Sequence, residues 1–222
     1  MKKFELTTDS IKRNGVTLYR IKSLIDFEDV KAGDLGGYVE KEENLSQSGN
    51  AWVYGNAQVY RNALVCDDAL VCGNARVSGN ARVSGNARVS GNARVYGNAR
   101  VSGNAWVYGN AEVSGDACVS GNARVSGDAC VSDDACVSGD ACVSGDALVS
   151  GDADYIYLKG FGSHNRSTTM FRAKGGNICV SCGCFSGTLE EFESKVKETH
   201  GSNKFAREYL ALVEAAKIHF EV

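Results

Sequence analysis

Gly79-Asn80-Ala81-Arg82-Val83-Ser84 is the purest copy of a six-residue phrase, G-[N/D]-A-x-V-[S/Y], that repeats from Gly49 to Ser150 without an inserted or deleted residue. The span holds seventeen such hexads. A unit this short has no core of its own and becomes stable only by stacking on its neighbours, so the period decides the architecture before any helix or strand is assigned. Ala81 and Val83 lie two apart and point to one side of an extended strand, while Arg82 and Ser84 point to the other. The Gly-Asn or Gly-Asp pair then supplies a corner, because these residues tolerate positive φ. If three hexads make one coil, residues eighteen apart stack in columns roughly 4.8 Å apart.

This phrase resembles the hexapeptide repeat of the left-handed parallel β-helix, in which an aliphatic residue recurs every six positions with a small residue four after it, here Val83 and then Ala87. The resemblance covers nearly half of the chain. It implies a mainly β fold with three hexads per coil, and the left hand comes from it alone. Many members of that family are acyltransferases that work as trimers, bind acyl-CoA between neighbouring prisms and use a histidine base. In this chain the coils carry no histidine and no inserted loop. The glycine-rich Gly33-Asp34-Leu35-Gly36-Gly37 before the coils and Gly183 to Phe192 after them are similar to repeat proteins of bacteria and their phages.

Three segments follow: an N-terminal hairpin and cap over 1–42, the coils over 43–153 and a small α+β domain over 154–222. Asn14-Gly15 between Ser10–Arg13 and Val16–Ile21 predicts a tight hairpin. Val39 and Leu45 are expected in the register of Ala51, and Asn44 in that of Asn50, as a degenerate first coil that closes the open end. After Ala153, strands are expected at Asp154–Leu158, Thr168–Ala173 and Ile178–Cys182. A capping box of Thr188 and Glu191 then opens a helix that Gly201 ends, and a second helix carries Phe205, Tyr209, Leu212, Ala216 and Phe220. The expected order is β-β-β-α-α.

The interior pattern never relaxes, so function must be written on the outside. From Gly73 to Tyr108 the coils carry Arg76, Arg82, Arg88, Arg94 and Arg100 and no acid; from Gly109 to Ala153 they carry eight acids against Arg124. The columns spread these arginines over all three faces as a basic belt, whereas a nucleic-acid groove is a one-sided stripe with interleaved aromatics. The same polarity allows two copies to associate as a dimer, basic coils against acidic ones, and the resemblance implies a trimer as the other homo-oligomer. One face aligns Trp52, Leu70, Arg88, Trp106, Arg124 and Cys142, with Tyr54 and Tyr108 beside the tryptophans. Trp, Tyr and Arg are the types enriched at binding hot spots, so Trp52, Tyr54, Arg88, Trp106 and Tyr108 form a candidate surface for a protein partner. Ser163, His164, Arg166 and Arg172 in and beside the polar loop after Ala153 form a candidate anion or partner site.

Composition limits the alternatives. The net charge of −3 gives no general attraction to nucleic acid or membrane, and no apolar run approaches the length of a bilayer span. Nine cysteines are an odd number, and no apolar leader follows Met1-Lys2-Lys3, so the expected setting is a reducing cytoplasm. Cys179-x-x-Cys182-x-Cys184 offers three thiols without a fourth ligand, which predicts core cysteines and no metal. No cofactor is expected, and a binding role is favoured over catalysis.

Overall fold

A computed structural model describes residues 2–222. Seventeen two-residue strands, β4 (Trp52–Val53) to β20 (Leu148–Val149), follow one another at six-residue intervals. Each pairs in parallel with the strand eighteen residues away, as Arg88 does with Leu70 and Trp106. The columns are those the hexad period predicts. The first face is the sheet β4-β7-β10-β13-β16-β19, the third is β6-β9-β12-β15-β18, and the second carries β5-β8-β11-β14-β17-β20. Every coil alanine and valine from Ala51 to Val149 is at most 1% exposed, and together they fill a continuous core.

The ladder has a direction. Arg82 and Ser84 donate their N–H groups to the carbonyls of Ala99 and Val101 in the following coil, at 2.9 and 3.0 Å. The first coil is therefore left with free carbonyls and the last with free N–H groups, and an end buried without partners is costly. The two ends are closed by side chains of the matching kind. At the N-terminal end Lys3 Nζ donates to the carbonyls of Ala51 (2.9 Å) and Gly49 (3.2 Å), and Asn44 Nδ2 to those of Ala63 (2.8 Å) and Arg61 (3.0 Å). At the C-terminal end Asp152 Oδ1 accepts from the N–H of Cys136 and Thr169 Oγ1 from that of Cys142, both at 3.0 Å. Lys3 is 1% exposed, and burial pulls its ammonium down to about 8. The corners repeat the same polarity: Asn86 donates its amide to Asn104, Asn104 to Asn122, and Asn122 to Asp140, at 2.8–3.1 Å. A carboxylate only accepts, so the change from corner Asn to corner Asp ends each amide ladder.

The N-terminal module is built on the expected hairpin, β1 (Phe4–Arg13) and β2 (Val16–Ser23), with Asn14 and Gly15 at φ of 47° and 79°. Its third strand, β3 (Leu35–Val39), pairs antiparallel to β2 and parallel to β5 (Gln58–Val59), so the hairpin extends the second face. The register of the first coil differs from expectation. Val39 aligns with Val59 and Leu45 with Val65, twenty residues apart, so both occupy valine positions and Asn44 points its amide into the end of the tube. Two extra residues therefore lie between Leu45 and Val53. They let Gln47 reach the backbone N–H of Lys3 at 2.8 Å.

The C-terminal unit has one strand more than expected. β21 (Tyr155–Phe161), β22 (Arg166–Arg172), β23 (Ile178–Cys182) and β24 (Phe185–Thr188) form an antiparallel sheet, with the last pair joined by Gly183-Cys184. A run of only four residues with one apolar member gave little strand signal. Helix α1 (Leu189–His200) opens on the predicted capping box of Thr188 and Glu191, and α2 (Lys204–Phe220) starts at Asn203. In α2 the buried stripe is Ala206, Tyr209, Val213, Ala216 and Phe220, which puts Phe205 and Leu212 at its edge. Phe171 faces the end of the coils while Met170 faces the helices, so alternation along β22 lets one sheet serve two cores.

Asp140 fastens this sheet to the coils. It accepts from Lys159 Nζ at 2.6 Å, Asn122 Nδ2 at 2.8 Å and Tyr157 Oη at 3.3 Å. The Lys159 hydrogen bond first, then that of Asn122, hold its carboxyl at about 2 against an ordinary 3.8. A depressed folded pKa contributes stability that is complete above the unfolded value and disappears as pH falls through the folded one. The side-chain carbon resonance of Asp140 should accordingly titrate near 2, moving back toward 3.8 in Lys159→Met. A midpoint near 3.8 in both proteins would remove this fastening.

Candidate functional site

On the first face the two tryptophans of one column meet different fates. Trp52 is 1% exposed, packed edge-on against Phe4 at 6.2 Å and Phe27 at 5.4 Å. It is part of the seal beneath the N-terminal module and does not contribute to a partner surface. Tyr54 beside it is half-buried, and burial pushes its hydroxyl up, with Asp29 adding to the effect. Trp106 is 38% exposed. Its Nε1 donates to Ser90 Oγ at 3.1 Å, and its ring lies 4.7 Å from that of Tyr108. Arg88 and Arg124 are its column neighbours on either side, both exposed, and among the described residues neither has a carboxylate within 4.0 Å. An indole braced by a serine and a tyrosine between two free guanidinium groups can take an acidic segment and an apolar side chain together.

This column runs into a groove. Where the C-terminal sheet crosses the last coils, Arg124, Asp140 and Cys142 from the coils face Arg166, Thr169 and Ser181 from the sheet around a cavity of about 360 Å³. The hairpin turn at Gly183 sets Arg166: the φ of Gly183 is +63°, and a side chain there would collide with the guanidinium. Arg166 also lines a second, apolar cavity of about 320 Å³ beside Phe185, Phe192 and Tyr209. Burial first, then Cys182, push the Tyr209 hydroxyl up to about 12, so it stays protonated.

The structure divides the predicted anion loop. Arg166 reaches the groove, while Ser163 and His164 are exposed and line neither cavity. Arg172 is already committed, pairing with Asp154 at 3.3 Å and donating to the Phe220 carbonyl at 3.1 Å with its guanidinium over the Phe220 ring. It holds α2 against the sheet. The belt is likewise uneven. All four of Arg82, Arg88, Arg94 and Arg100 are exposed, but Arg94 pairs with Glu112 at 2.9 Å and Arg82 lies 3.7 Å from Cys66 Sγ, whereas among the described residues Arg88 and Arg100 have no carboxylate within 4.0 Å. Asp140, Thr169 and Ser181 were not visible as site residues in the sequence, because only the docking of the sheet brings them to Arg124. The one available signal was Asp140, which ends the amide ladder from Asn86 through Asn104 and Asn122.

The histidines are dispersed. His164 is exposed on its loop, His200 stacks on Tyr209 at 5.9 Å, and His219 Nε2 lies 2.9 Å from the Ala153 carbonyl. All nine cysteines are unbridged, including the column neighbours Cys118 and Cys136. Among the described residues no group of three or more His, Cys, Asp or Glu side chains is placed to hold a metal ion. No helix among them is long and apolar enough to cross a membrane.

The coils match a known repeat, described as the YdcK Beta solenoid repeat, at residues 69–85, 75–91, 81–94, 93–109 and 117–133. A protein of Escherichia coli (strain K12) named "Uncharacterized acetyltransferase YdcK" is 43% identical over 51 residues, which is 23% of this chain and 15% of that protein. The match thus spans under a sixth of the length of that relative. The parallel columns above make the chain a β-solenoid of hexad repeats with a C-terminal sheet and two helices, and the match lies within its coils.

Proposed function

We propose that the protein is a non-catalytic binding scaffold, and that it engages a protein partner along the first face from Arg88 through Trp106 and Arg124 to the groove at Arg166. The observation that carries this reading is the exposed Trp106, held by Ser90 and Tyr108 between unpaired Arg88 and Arg124. Exposed indole beside free guanidinium groups is the composition of a hot spot rather than of a solubilising surface. The partner segment is acidic with an apolar anchor. Free thiols throughout support a reducing cytoplasm as the setting. Capture from bacterial lysate tests the reading. Wild type and Arg82→Glu, which alters the third face, should retain the same partner, and Trp106→Ala and Arg124→Glu should each lose it. Equal capture by all four proteins would sink it.

A second reading is acetyl transfer, favoured by the name of the relative that shares the repeat. Calorimetric titration with acetyl-CoA separates the two. The scaffold reading expects no binding heat, and saturable binding would favour transfer.

A further inference from the structure

The second face holds a cationic site that the partner surface does not use. Under the tip of the N-terminal hairpin, a cavity of about 520 Å³ is lined by Asn14, Tyr60, Arg61, Arg76, Arg94 and Tyr96. Gln58, Arg76, Arg94 and Glu112 are consecutive rungs of one ladder. Arg13 of the hairpin docks on the first of them, its Nε donating to Gln58 Oε1 at 3.1 Å. Three guanidinium groups are thereby held along the column and a fourth, from Arg61, beside it.

Like charges at rung spacing repel unless something of opposite sign lies between them. Of these guanidinium groups Glu112 pairs with Arg94, at 2.9 Å, and it also accepts from Tyr96 Oη at 3.3 Å. Among the described residues no carboxylate lies within 4.0 Å of the guanidinium groups of Arg13, Arg61 and Arg76, and Glu40 meets Arg61 only at its backbone N–H, at 2.5 Å. Burial first, and then the neighbouring Arg13 and Arg94 charges, pull the Arg76 guanidinium below its ordinary range.

Arg61 adds an independent sign. It stands at the corner position that glycine fills in fourteen of the seventeen hexads, at φ +61°, a conformation that costs an ordinary L residue energy. Asp67 and Asp133 are the other two exceptions, and aspartate tolerates that region better than arginine does. A strained arginine at the mouth of a cavity lined by two more points to a ligand that it contacts.

We infer that this cavity binds a small phosphate monoester, its phosphoryl oxygens on Arg61, Arg76 and Arg94 and the rest of the molecule against Tyr96. Planar guanidinium forks match the geometry of a phosphoryl group, and its two negative charges offset the excess that the cluster carries. Tyr96 is 39% exposed, which leaves its ring face for the organic part, while the buried Tyr60 forms the floor beside it.

Ribose 5-phosphate is the test ligand, because it carries no acyl group or base. In calorimetry at low salt, wild type should bind it, more tightly than ribose, which lacks the phosphate. Arg76→Gln should weaken binding by roughly tenfold or more, the worth of a charge-assisted hydrogen bond. Arg61→Gly should do the same while suiting its backbone, so a loss there cannot be laid to unfolding. Arg100→Gln, an equal change of charge on the third face, should bind as wild type does. No binding by wild type, or an equal loss in Arg100→Gln, would overturn the inference. So would tighter, length-dependent binding of an oligonucleotide, which would make the cluster a backbone contact. The site lies on a different face from Trp106, so failure here leaves the partner surface standing, and the reverse.

Discussion

Trp52→Ala should lower stability by about 3–5 kcal/mol, the range for truncating a large buried aromatic, whereas Trp106→Ala should cost about 1 kcal/mol or less. The two residues occupy equivalent hexad positions three coils apart, so no sequence rule separates them. What differs is the cover. Trp52 is closed in by Phe4 and Phe27 and is 1% exposed; Trp106 is 38% exposed. Removing Trp52 opens a cavity between the hairpin and the first coil. It also loosens the seal that Lys3 makes on the carbonyls of Gly49 and Ala51. Thermal and urea midpoints followed by far-ultraviolet dichroism would measure both variants. Equal midpoints would mean that the N-terminal module does not sit on Trp52.

The second large effect is expected in the middle of the rod. Val101 is fully buried, with Val83 and Val119 as its column neighbours. A carboxylate placed there meets only methyl groups, and an unpaired buried charge puts Val101→Asp above about 4 kcal/mol. Each coil touches only its neighbours, so the damage should split the rod. Proteolysis should nick near coil position 101 while the flanking coils stay resistant. Ser102→Asp, one residue further along and on the outside, should change stability by no more than about 0.5 kcal/mol. Similar losses in the two variants would contradict the inward and outward alternation of the hexad.

Much of the fold was legible because a single physical constraint repeats. Alanine and valine two apart, followed by a corner of glycine and asparagine, leave one arrangement in which every unit buries its apolar face. The columns follow by counting to eighteen. Asn14-Gly15 and the box of Thr188 and Glu191 were legible for the same reason, since local backbone chemistry alone decides them. The ends of the rod were not. Val39 and Leu45 keep a six-residue spacing that fits two registers, and Asn44 and Gln47 select between them by bonding to the coil end and to Lys3. β24 was missed because Phe185–Thr188 gains its place from pairing with β23 rather than from its own pattern.

The site was legible only as columns. The hexad places Arg88, Trp106 and Arg124 on one ladder, but it says nothing about which outward side chains the terminal modules cover. Trp52 went under the hairpin and Arg172 under α2, while Arg166 came to face Arg124 across the groove. The cluster of Arg61, Arg76 and Arg94 needed the hairpin to bring Arg13 beside it before its excess charge became apparent.

Comparative capture by wild type and the three variants with altered faces bears most directly on the scaffold reading. One partner held by wild type and Arg82→Glu, and lost from both Trp106→Ala and Arg124→Glu, is the predicted result. Retention of that partner by Trp106→Ala and Arg124→Glu, with all variants folded, would contradict it.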